Sequence, residues 1–274
     1  NPNKELICSI DSPYPHGKPK NEFPKKWRKD YKISIIMATR GRTDLLLKCI
    51  DSFIKTSHPR VSFEFVLVVD FDDKETIFAI NELVNKRLYS NIICIMTFRS
   101  YFMQRDYTNL ACDAASGDLI FGLNDDDEMV TNNWNLLIYN RYLEIKQEDD
   151  IHLIAVLDNG HPYSLKNGEY VGNGPCFPVV TKTFTNLFNG LFPPGIFMWS
   201  ADVVLHNIFN GIGRRNILHE VSVFHNCSHG TAKNREPDEI HRHVVDTYKL
   251  NASVGIKTYE ADIIKILKNE ILKT

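Results

Sequence analysis

One stretch of the sequence indicates the fold class: Gly117-Asp118-Leu119-Ile120-Phe121-Gly122-Leu123-Asn124-Asp125-Asp126-Asp127-Glu128. In it, an apolar run with the length and composition of a buried parallel strand ends abruptly in three consecutive aspartates. Carboxylates crowded at the end of one strand repel each other and are costly to desolvate, and a divalent cation removes that cost. Oxygen ligands of this kind suit Mg²⁺ or Mn²⁺. The triplet alone leaves two interpretations open, a metal site or a solvated acidic turn that caps the next helix.

Predicted strands and helices alternate regularly on both sides of this stretch. Strands are predicted at residues 32–38, 63–69, 92–97, 118–123 and 152–157, with a later one at 221–225. Helices are predicted from Thr43 onward, over 74–89, 104–115, 133–147 and 202–209, and twice more toward the end of the chain. The alternation predicts an α/β fold with a Rossmann-like, mostly parallel, doubly wound sheet and right-handed crossovers.

The acidic residues cluster where a sheet of this kind binds its ligands. Residues 70–73 follow one predicted strand and residues 125–127 follow another, so both clusters lie at the carboxyl ends of parallel strands. Thr43 comes after the first strand and a short turn, and it is predicted to be the N-cap of the helix that follows. We therefore expect a ligand-binding site at this edge of the sheet.

Composition argues against several classes of protein. The 274 residues carry a formal net charge of −2, which does not suit a general nucleic-acid binder. No apolar run approaches the roughly 20 residues of a membrane span. No signal-peptide pattern is present, so a cytoplasmic location is expected, with termini that can have been trimmed from a longer chain. The six cysteines form no Cys-x-x-Cys pair, which favours buried free thiols in a reducing compartment.

Four segments, in order, resemble the GT-A-type glycosyltransferases, in particular the family-two-like group that uses nucleoside-diphosphate sugars. The four segments are Ile33–Arg42 with the helix after it, Phe65–Asp70, Asn109–Asp118 and Leu123–Asp127. They look like this group's opening strand and nucleotide loop, its second strand with a terminal acid, its Asn-helix-Ala-x-Gly-Asp segment and its DxD signature. The resemblance covers roughly residues 32–130 and implies the GT-A fold.

The resemblance implies a set of nucleotide-binding residues and a set of metal ligands. The nucleotide-binding residues would be Thr39, Arg42, Asp70, Asp72, Arg105 and Asp125. Asp72 would replace the second acid that the family often has at the position of Phe71. The DxD signature spans 124–126 or 125–127, because Asn124 stands where the family often has Asp. Asp126 lies in both registers, and Asp126 and Asp127 are expected to hold Mn²⁺ or Mg²⁺.

Many of these enzymes take a further metal ligand, often His, from the C-terminal part of the chain. His225, at the end of a predicted strand, and His229, in the glycine-containing loop after it, are the candidates. An ordinary structural role for either histidine remains open. Lys233 and Arg235 in the same loop would offset the charge of the departing diphosphate.

Inversion at the sugar carbon requires a carboxylate that deprotonates the acceptor hydroxyl, whereas retention requires no such base. Inversion is the expected outcome, with Glu220 as the first candidate for the base and Asp202 as the second. Trp199 and Tyr163 would stack on an acceptor sugar, and ordinary core packing remains an open alternative for both aromatic residues.

The chain is expected to form a single domain with four parts. An irregular arm at residues 1–31 would precede a nucleotide-sugar-binding half at 32–157 and an acceptor-binding half with a flexible loop at 158–250. The segment 251–274 is predicted to be a helix that docks on the domain through an apolar face.

These features together predict a metal-dependent transferase. It would move a sugar from a nucleoside-diphosphate sugar, with UDP as the expected nucleotide, to a hydroxyl acceptor such as a glycan. Two alternatives remain open. Residues 68–72 also resemble the nucleophile motif of haloacid-dehalogenase-type phosphatases, and a non-catalytic relative would keep the fold and only bind a sugar or a protein.

Overall fold

The computed structural model describes residues 7–8, 31–86, 91–100, 104–159, 164–166, 169–171, 177–192, 201–226 and 255–273. Within these residues, nine strands form one sheet and two more form a hairpin. The strands are β1 (Ile7–Cys8), β2 (Ile33–Thr39), β3 (Phe63–Asp70), β4 (Ile92–Thr97), β5 (Leu119–Asn124), β6 (Asp127–Met129), β7 (Leu153–Asp158), β8 (Ser164–Lys166), β9 (Glu169–Val171), β10 (Phe177–Thr181) and β11 (Arg215–His225). The order in the sheet is β1-β4-β3-β2-β5-β10-β7-β11-β6, and β8 pairs with β9.

Parallel pairing dominates the sheet. β1, β4, β3, β2 and β5 are parallel neighbours in that order, and β7 is parallel to β11. β10 is antiparallel to both of its neighbours, β5 and β7, and β6 is antiparallel to β11. The prediction of a mostly parallel α/β sheet is confirmed, and β10 connects the early strands to the late ones within the same sheet.

Seven α-helices lie in the described part of the chain. They are α1 (Thr43–Lys55), α2 (Lys74–Asn85), α3 (Asn109–Ala114), α4 (Trp134–Ile145), α5 (Lys182–Phe188), α6 (Ala201–Gly211) and α7 (Gly255–Ile271). A π-helical turn, Gln104–Thr108, leads directly into α3, so the predicted third helix begins with a wider turn. None of the described helices has both the length and the apolar character needed to cross a membrane.

Apolar side chains cover both faces of the sheet, as a doubly wound fold requires. On β2, Ile35 belongs to one hydrophobic core and Ile36 to the other, because successive strand side chains point to opposite faces. Trp134 of α4 is fully buried in the first core. Ile263 and Leu267 of α7 are buried in the second core, on the face through which the last helix is predicted to dock. The central strands are therefore apolar on both sides.

Most predicted boundaries shift by a few residues, one local prediction is wrong, and a strand and a helix are not predicted. Thr43 is the first residue of α1 and not its N-cap, a position held by Arg42 without a side-chain capping bond. The segment 177–188 forms β10 and α5, which the sequence analysis does not predict. Pro178 and the glycines before it are typical of loops, and the burial of β10 between two strands overrides that local preference.

A buried polar network joins the amino ends of the central strands, opposite the acidic clusters. Glu64 Oε1 accepts hydrogen bonds from Ser34 Oγ at 2.6 Å, from Ser116 N at 2.7 Å and from Ser116 Oγ at 2.8 Å. Gly117 N donates to Ser34 Oγ at 2.8 Å, and a Cβ atom at Gly117 would come within 2.7 Å of Ser34 N. The glycine of the Ala-x-Gly-Asp segment is thus required by close strand packing and lies far along the strands from the acidic triplet.

Candidate active site

The aspartate triplet forms the reversal between β5 and β6. β6 begins at Asp127, which pairs directly with His225, the last residue of β11. The exposed fractions of Asp125, Asp126 and Asp127 are 0%, 6% and 0%. The interpretation of the triplet as a solvated turn that caps the next helix is therefore wrong, since the acids are buried and α4 begins only after a further turn.

Three side chains in this region are close enough to share a metal ion. His225 Nε2 lies 3.7 Å from Asp126 Oδ1 and 4.0 Å from Asp127 Oδ1. One ligand atom from each of these residues lies within 4.8 Å of the other two. We call Asp126, Asp127 and His225 the metal trio. It combines the two predicted carboxylates with the first of the two predicted histidines.

The chemistry of the trio fits a divalent cation. Asp127 Oδ2 accepts a hydrogen bond from Asn124 N at 2.7 Å, but Asp127 Oδ1 is buried and has no hydrogen-bond partner among the described residues. A buried oxygen without a partner is costly unless another group binds it. Mn²⁺ accepts two carboxylates and an imidazole as ligands, and the carboxylates also suit Mg²⁺.

Arg42 and Thr39 contact the other side of the triplet. The Arg42 guanidinium donates from Nε to Asp125 Oδ2 at 3.1 Å and from Nη1 to Asp126 Oδ2 at 3.2 Å, while its Nη2 contacts Asp125 Oδ1. Thr39 Oγ1 donates to Asp125 Oδ2 at 2.7 Å. Gly41, with a φ of +62°, lets the chain turn between these two residues. Asp126 therefore has one oxygen beside Arg42 and the other beside the histidine of the metal trio.

Burial makes two acids of the triplet, Asp125 and Asp127, hard to ionise without a cation. Desolvation raises the pKa of Asp127 well above its ordinary value, and the nearby carboxylates of Asp126 and Asp158 add to the increase. Desolvation also raises the pKa of Asp125, against the opposing effect of the Arg42 charge. A bound cation favours the charged form of such carboxylates and lowers their pKa values.

The second acidic cluster lies at the end of β3, and its carboxylates already accept hydrogen bonds from the protein. Arg40 Nη1 donates to Asp70 Oδ2 at 2.6 Å, and the Tyr107 hydroxyl donates to Asp70 Oδ1. Arg40 Nη2 also donates to Asp72 Oδ2 at 3.0 Å, and this hydrogen bond lowers the pKa of Asp72. Asp73 accepts a hydrogen bond from Thr76 N at 3.3 Å and so caps α2.

The two candidate bases lie in different elements. Glu220 lies on β11, five positions before His225, where the register between β11 and β7 shifts between Leu218 and Ser222. Its side chain is exposed. Asp202 is half-buried in the first turn of α6, a helix whose apolar residues belong to the second core. Neither placement tests the assignment of a base, which stays a prediction for both residues.

The remaining predicted site residues have no described side chain. His229, Lys233, Arg235, Trp199 and Tyr163 lie outside the described residues, and Arg105 is described only as part of the π-helical turn. Their roles stay predictions. The structure adds three residues that the sequence reasoning missed, Arg40, Tyr107 and Asp158. Asp158 ends a predicted strand just as Asp70 does, so the rule that identified Asp70 was sufficient to find it.

Comparisons with known proteins agree with this fold. Residues 34–144 match the model of the family described as Glycosyl transferase family 2. A search of curated proteins gave no match. S. aureus TarS 1-349 in complex with UDP superposes with a TM-score of 0.53 and 17% identity, over 70% of this chain and 59% of that chain. The match thus spans less than two thirds of that TarS chain.

Two further solved structures superpose over more of the chain. S. aureus TarS 1-349 in complex with UDP-GlcNAc has a TM-score of 0.54 and 16% identity, over 87% of this chain and 72% of that chain. The mannosyltransferase PcManGT from Pyrobaculum calidifontis, in complex with GDP-Man and Mn²⁺, has a TM-score of 0.56 and 11% identity, over 87% and 74% of the two chains. At these identities the likeness shows a shared fold.

The fold is that of the GT-A-type glycosyltransferases. The match of residues 34–144 to the glycosyl transferase family 2 model confirms the predicted resemblance to family-two-like nucleotide-sugar transferases. The alternative of a haloacid-dehalogenase-type phosphatase finds no support in either the fold or the family match.

Proposed function

We propose that this protein is a metal-dependent, inverting glycosyltransferase that moves a sugar from a UDP-sugar to a hydroxyl group of a glycan. The observation that carries the proposal is the metal trio, in which a buried Asp127 oxygen without a hydrogen-bond partner lies 4.0 Å from His225 Nε2. Relatives of the same fold were solved with UDP, with UDP-GlcNAc, and with GDP-Man and Mn²⁺, which supports a nucleoside-diphosphate sugar as donor.

Asp126, Asp127 and His225 would hold Mn²⁺ or Mg²⁺ at the carboxyl end of the sheet. When bound, the cation offsets the charge of the diphosphate and stabilises the nucleoside diphosphate as a leaving group. Asp126 and Asp127 come from the tight reversal after β5, and His225 comes from the paired strand β11, so all three ligands lie on sheet-anchored backbone. Ligands held in this way keep their geometry during substrate binding.

Thr39 and Arg42 would orient Asp125 toward the ribose. The Thr39 hydroxyl and the Arg42 guanidinium both donate to Asp125 Oδ2, which leaves the carboxylate in a single orientation. Arg42 is also the cationic side chain beside Asp126 and is placed to balance phosphate charge. His229, Lys233 and Arg235 would add to this balance from the loop after β11, and Arg105 would do so from the π-helical turn.

Asp70 and Asp72 would face the base or the ribose. Both oxygens of Asp70 already accept hydrogen bonds, from Arg40 and Tyr107, so a direct contact with the nucleotide requires that one of these donors shift. Asp72 is the more accessible carboxylate, with 64% of its side chain exposed. We therefore assign the first contact with the base to Asp72 and a positioning role to Asp70.

Glu220, or Asp202 in its place, would remove the proton of the acceptor hydroxyl as that oxygen attacks the sugar carbon. The exposed side chain of Glu220 suits an acceptor that approaches from solvent. Trp199 and Tyr163 would stack on the apolar face of the acceptor sugar. If both acids are dispensable for transfer, the reaction proceeds with retention and needs no such base.

Calorimetric titration with UDP and GDP, each with Mn²⁺ or with a chelator, tests the proposal. UDP is expected to bind the wild-type protein only with Mn²⁺, and Asp126→Ala is expected to abolish that binding. Asp118→Asn is the matched control, because Asp118 lies just before the amino end of β5 and pairs with Lys32 at 3.1 Å, away from the site. Metal-independent binding, or no binding of any nucleoside diphosphate, would overturn the proposal.

A further inference from the structure

A buried carboxylate lies behind His225, on the side of the imidazole ring away from the triplet. Asp158, 3% exposed, is the last residue of β7, and it lies opposite Val223 of the parallel strand β11. Asn159 N donates to Val223 O at 2.8 Å and continues this register past the end of β7. Paired residues of neighbouring strands point to the same face of the sheet, so Asp158 and Val223 share a face. His225 follows Val223 by two residues, so the side chains of Asp158 and His225 point to the same face.

The two ring nitrogens of His225 face different carboxylates. Nδ1 lies 3.7 Å from Asp158 Oδ2, whereas Nε2 lies 3.7 Å from Asp126 Oδ1 and 4.0 Å from Asp127 Oδ1. Asp158 is not part of the group of ligand atoms that lie within 4.8 Å of one another in the described chain. The ring therefore stands between Asp158 and the place where an ion would bind.

Packing also restrains the orientation of this ring. The Phe177 ring meets the His225 ring nearly edge to face, with centroids 5.5 Å apart and an interplanar angle of 78°. Phe177 is 1% exposed and begins β10, the strand beside β7. A neutral imidazole carries one proton, and placing it on Nδ1 puts the lone pair on Nε2, the nitrogen that faces the triplet.

We propose that Asp158 is a positioning residue for the metal site, an inference that rests on the proposed function. Its carboxylate accepts the Nδ1 proton of His225, and a movement of about 1 Å brings the 3.7 Å separation to hydrogen-bond length. Nε2 is thereby directed at the ion. Carboxylates that orient a metal-binding histidine in this way contribute about 10- to 100-fold to metal affinity. Asp158 itself does not contact the ion.

Mn²⁺ affinity in four proteins tests this role, measured in the presence of UDP by the electron paramagnetic resonance signal of free Mn²⁺. The proteins are the wild type, Asp158→Asn, His225→Ala and the double variant. Asp158→Asn is expected to weaken Mn²⁺ binding by about 10-fold or more in the wild-type background. The same substitution is expected to weaken Mn²⁺ binding by less than about 3-fold when His225 is already Ala. The effects of substituting two residues that act as one unit are not additive.

The outcomes separate this role from the alternatives. An equal loss in both backgrounds would overturn the proposal, because Asp158 would then act through its charge or as a direct ligand. Wild-type protein that binds neither Mn²⁺ nor UDP would overturn the proposed function, and this role with it. Asp118→Asn is expected to leave Mn²⁺ affinity unchanged, since Asp118 lies near the opposite end of β5.

A second measurement uses only the wild-type protein, so it does not depend on the stability of a variant with a changed buried residue. Histidine labelled with ¹⁵N reports by NMR which ring nitrogen carries the proton when Mg²⁺ and UDP are added. The proton is expected on Nδ1 of His225, facing Asp158. A proton on Nε2 of His225 in the Mg²⁺-loaded protein would overturn the proposal.

Discussion

The acidic cluster at the end of β3 and the acidic triplet at the end of β5 lie at the same edge of the sheet, but their charges are balanced differently. In the first cluster, both oxygens of Asp70 accept hydrogen bonds, from Arg40 and from Tyr107. In the triplet, Arg42 contacts Asp125 and Asp126, but Asp127 keeps a buried oxygen without a hydrogen-bond partner among the described residues.

The difference separates a cluster whose hydrogen bonds the protein completes from one in which it leaves a buried oxygen without a donor. Arg40 lowers the pKa of Asp72, so this acid is stable as a carboxylate in the protein alone. Desolvation raises the pKa of Asp127, so this acid is costly to ionise until a cation arrives. Two clusters with the same residue type at equivalent strand ends can therefore have different roles, and they differ in whether the protein supplies a hydrogen-bond donor to every buried carboxylate oxygen.

Substitution of one acid from each cluster should show the largest contrast. Asp126→Asn is expected to lower turnover by about 1000-fold or more, because the bound metal contributes several kcal/mol to stabilising the transition state. Asp70→Asn is expected to lower it by about 10-fold, through disordered nucleotide contacts. Release of UDP from a UDP-sugar measures both effects. Equal losses in the two variants would remove the functional distinction between the clusters.

The second-largest contrast is expected between Arg42 and Arg40, in their contributions to UDP binding. Arg42→Lys is expected to weaken UDP binding with Mn²⁺ by about 10- to 100-fold, because lysine cannot hold two carboxylates and a phosphate at once. Arg40→Lys is expected to cost about 5-fold or less, since Arg40 is 39% exposed and lysine retains one charge beside Asp70. Titration calorimetry with UDP measures both. A larger loss for Arg40→Lys would place the nucleotide at the first cluster instead.

The pH dependence of stability should differ in sign between the clusters. Because the pKa of Asp127 is raised in the folded state, the folded protein keeps a proton that the unfolded chain releases between that raised pKa and 3.8. The free energy of unfolding of the metal-free protein should therefore increase as the pH falls through the raised pKa, and level off near 3.8. Asp72 acts in the opposite direction, because its pKa is lowered in the folded state. Its contribution to stability is present above pH 3.8 and is lost as the pH falls through the lowered pKa.

Asp127→Asn isolates this effect. The substitution is expected to reduce the increase in the free energy of unfolding that the wild type shows in mild acid. It is also expected to raise the free energy of unfolding at neutral pH by about 2 kcal/mol, because it removes a buried negative charge that has no cation beside it in the metal-free protein. Urea unfolding with a chelator present, from neutral to mildly acidic pH, measures it. With Mn²⁺ added, the wild type should instead lose stability in acid. An unchanged pH profile in Asp127→Asn would contradict the assignment.

The smallest expected effect lies in the first cluster. Tyr107→Phe removes the hydroxyl that donates to Asp70 and accepts from Ser100 N at 2.8 Å, without changing the shape of the ring. The free energy of unfolding is expected to fall by about 1 kcal/mol, and UDP affinity by less than about 3-fold. Thermal unfolding and titration calorimetry check the two values. A loss of UDP binding as large as that of Arg42→Lys would show that Tyr107 contacts the nucleotide.

Local sequence patterns are sufficient to predict the layers of the fold and the position of the triplet. An apolar run that ends in aspartates predicts β5, and the same rule predicts β3 with Asp70. The pairing of Asp127 with His225 does not follow from any local pattern, because β6 and β11 are distant in the sequence and meet through the packing of the sheet. β10 escapes prediction because Pro178 is typical of loops. The roles of Arg40 and Tyr107 depend on side-chain orientations that only the folded protein defines.

The pairing of β6 with β11 has a consequence for how the protein matures. On the ribosome, the acidic triplet emerges long before His225, so the nascent chain carries three crowded carboxylates without their histidine. The trio is assembled only when β11 docks beside β7 and β6 at the edge of the sheet. If the trio binds the proposed cation, tight binding would be limited to completed molecules, and the cation would stabilise only those. Unfinished or unfolded chains would then compete poorly for the ion.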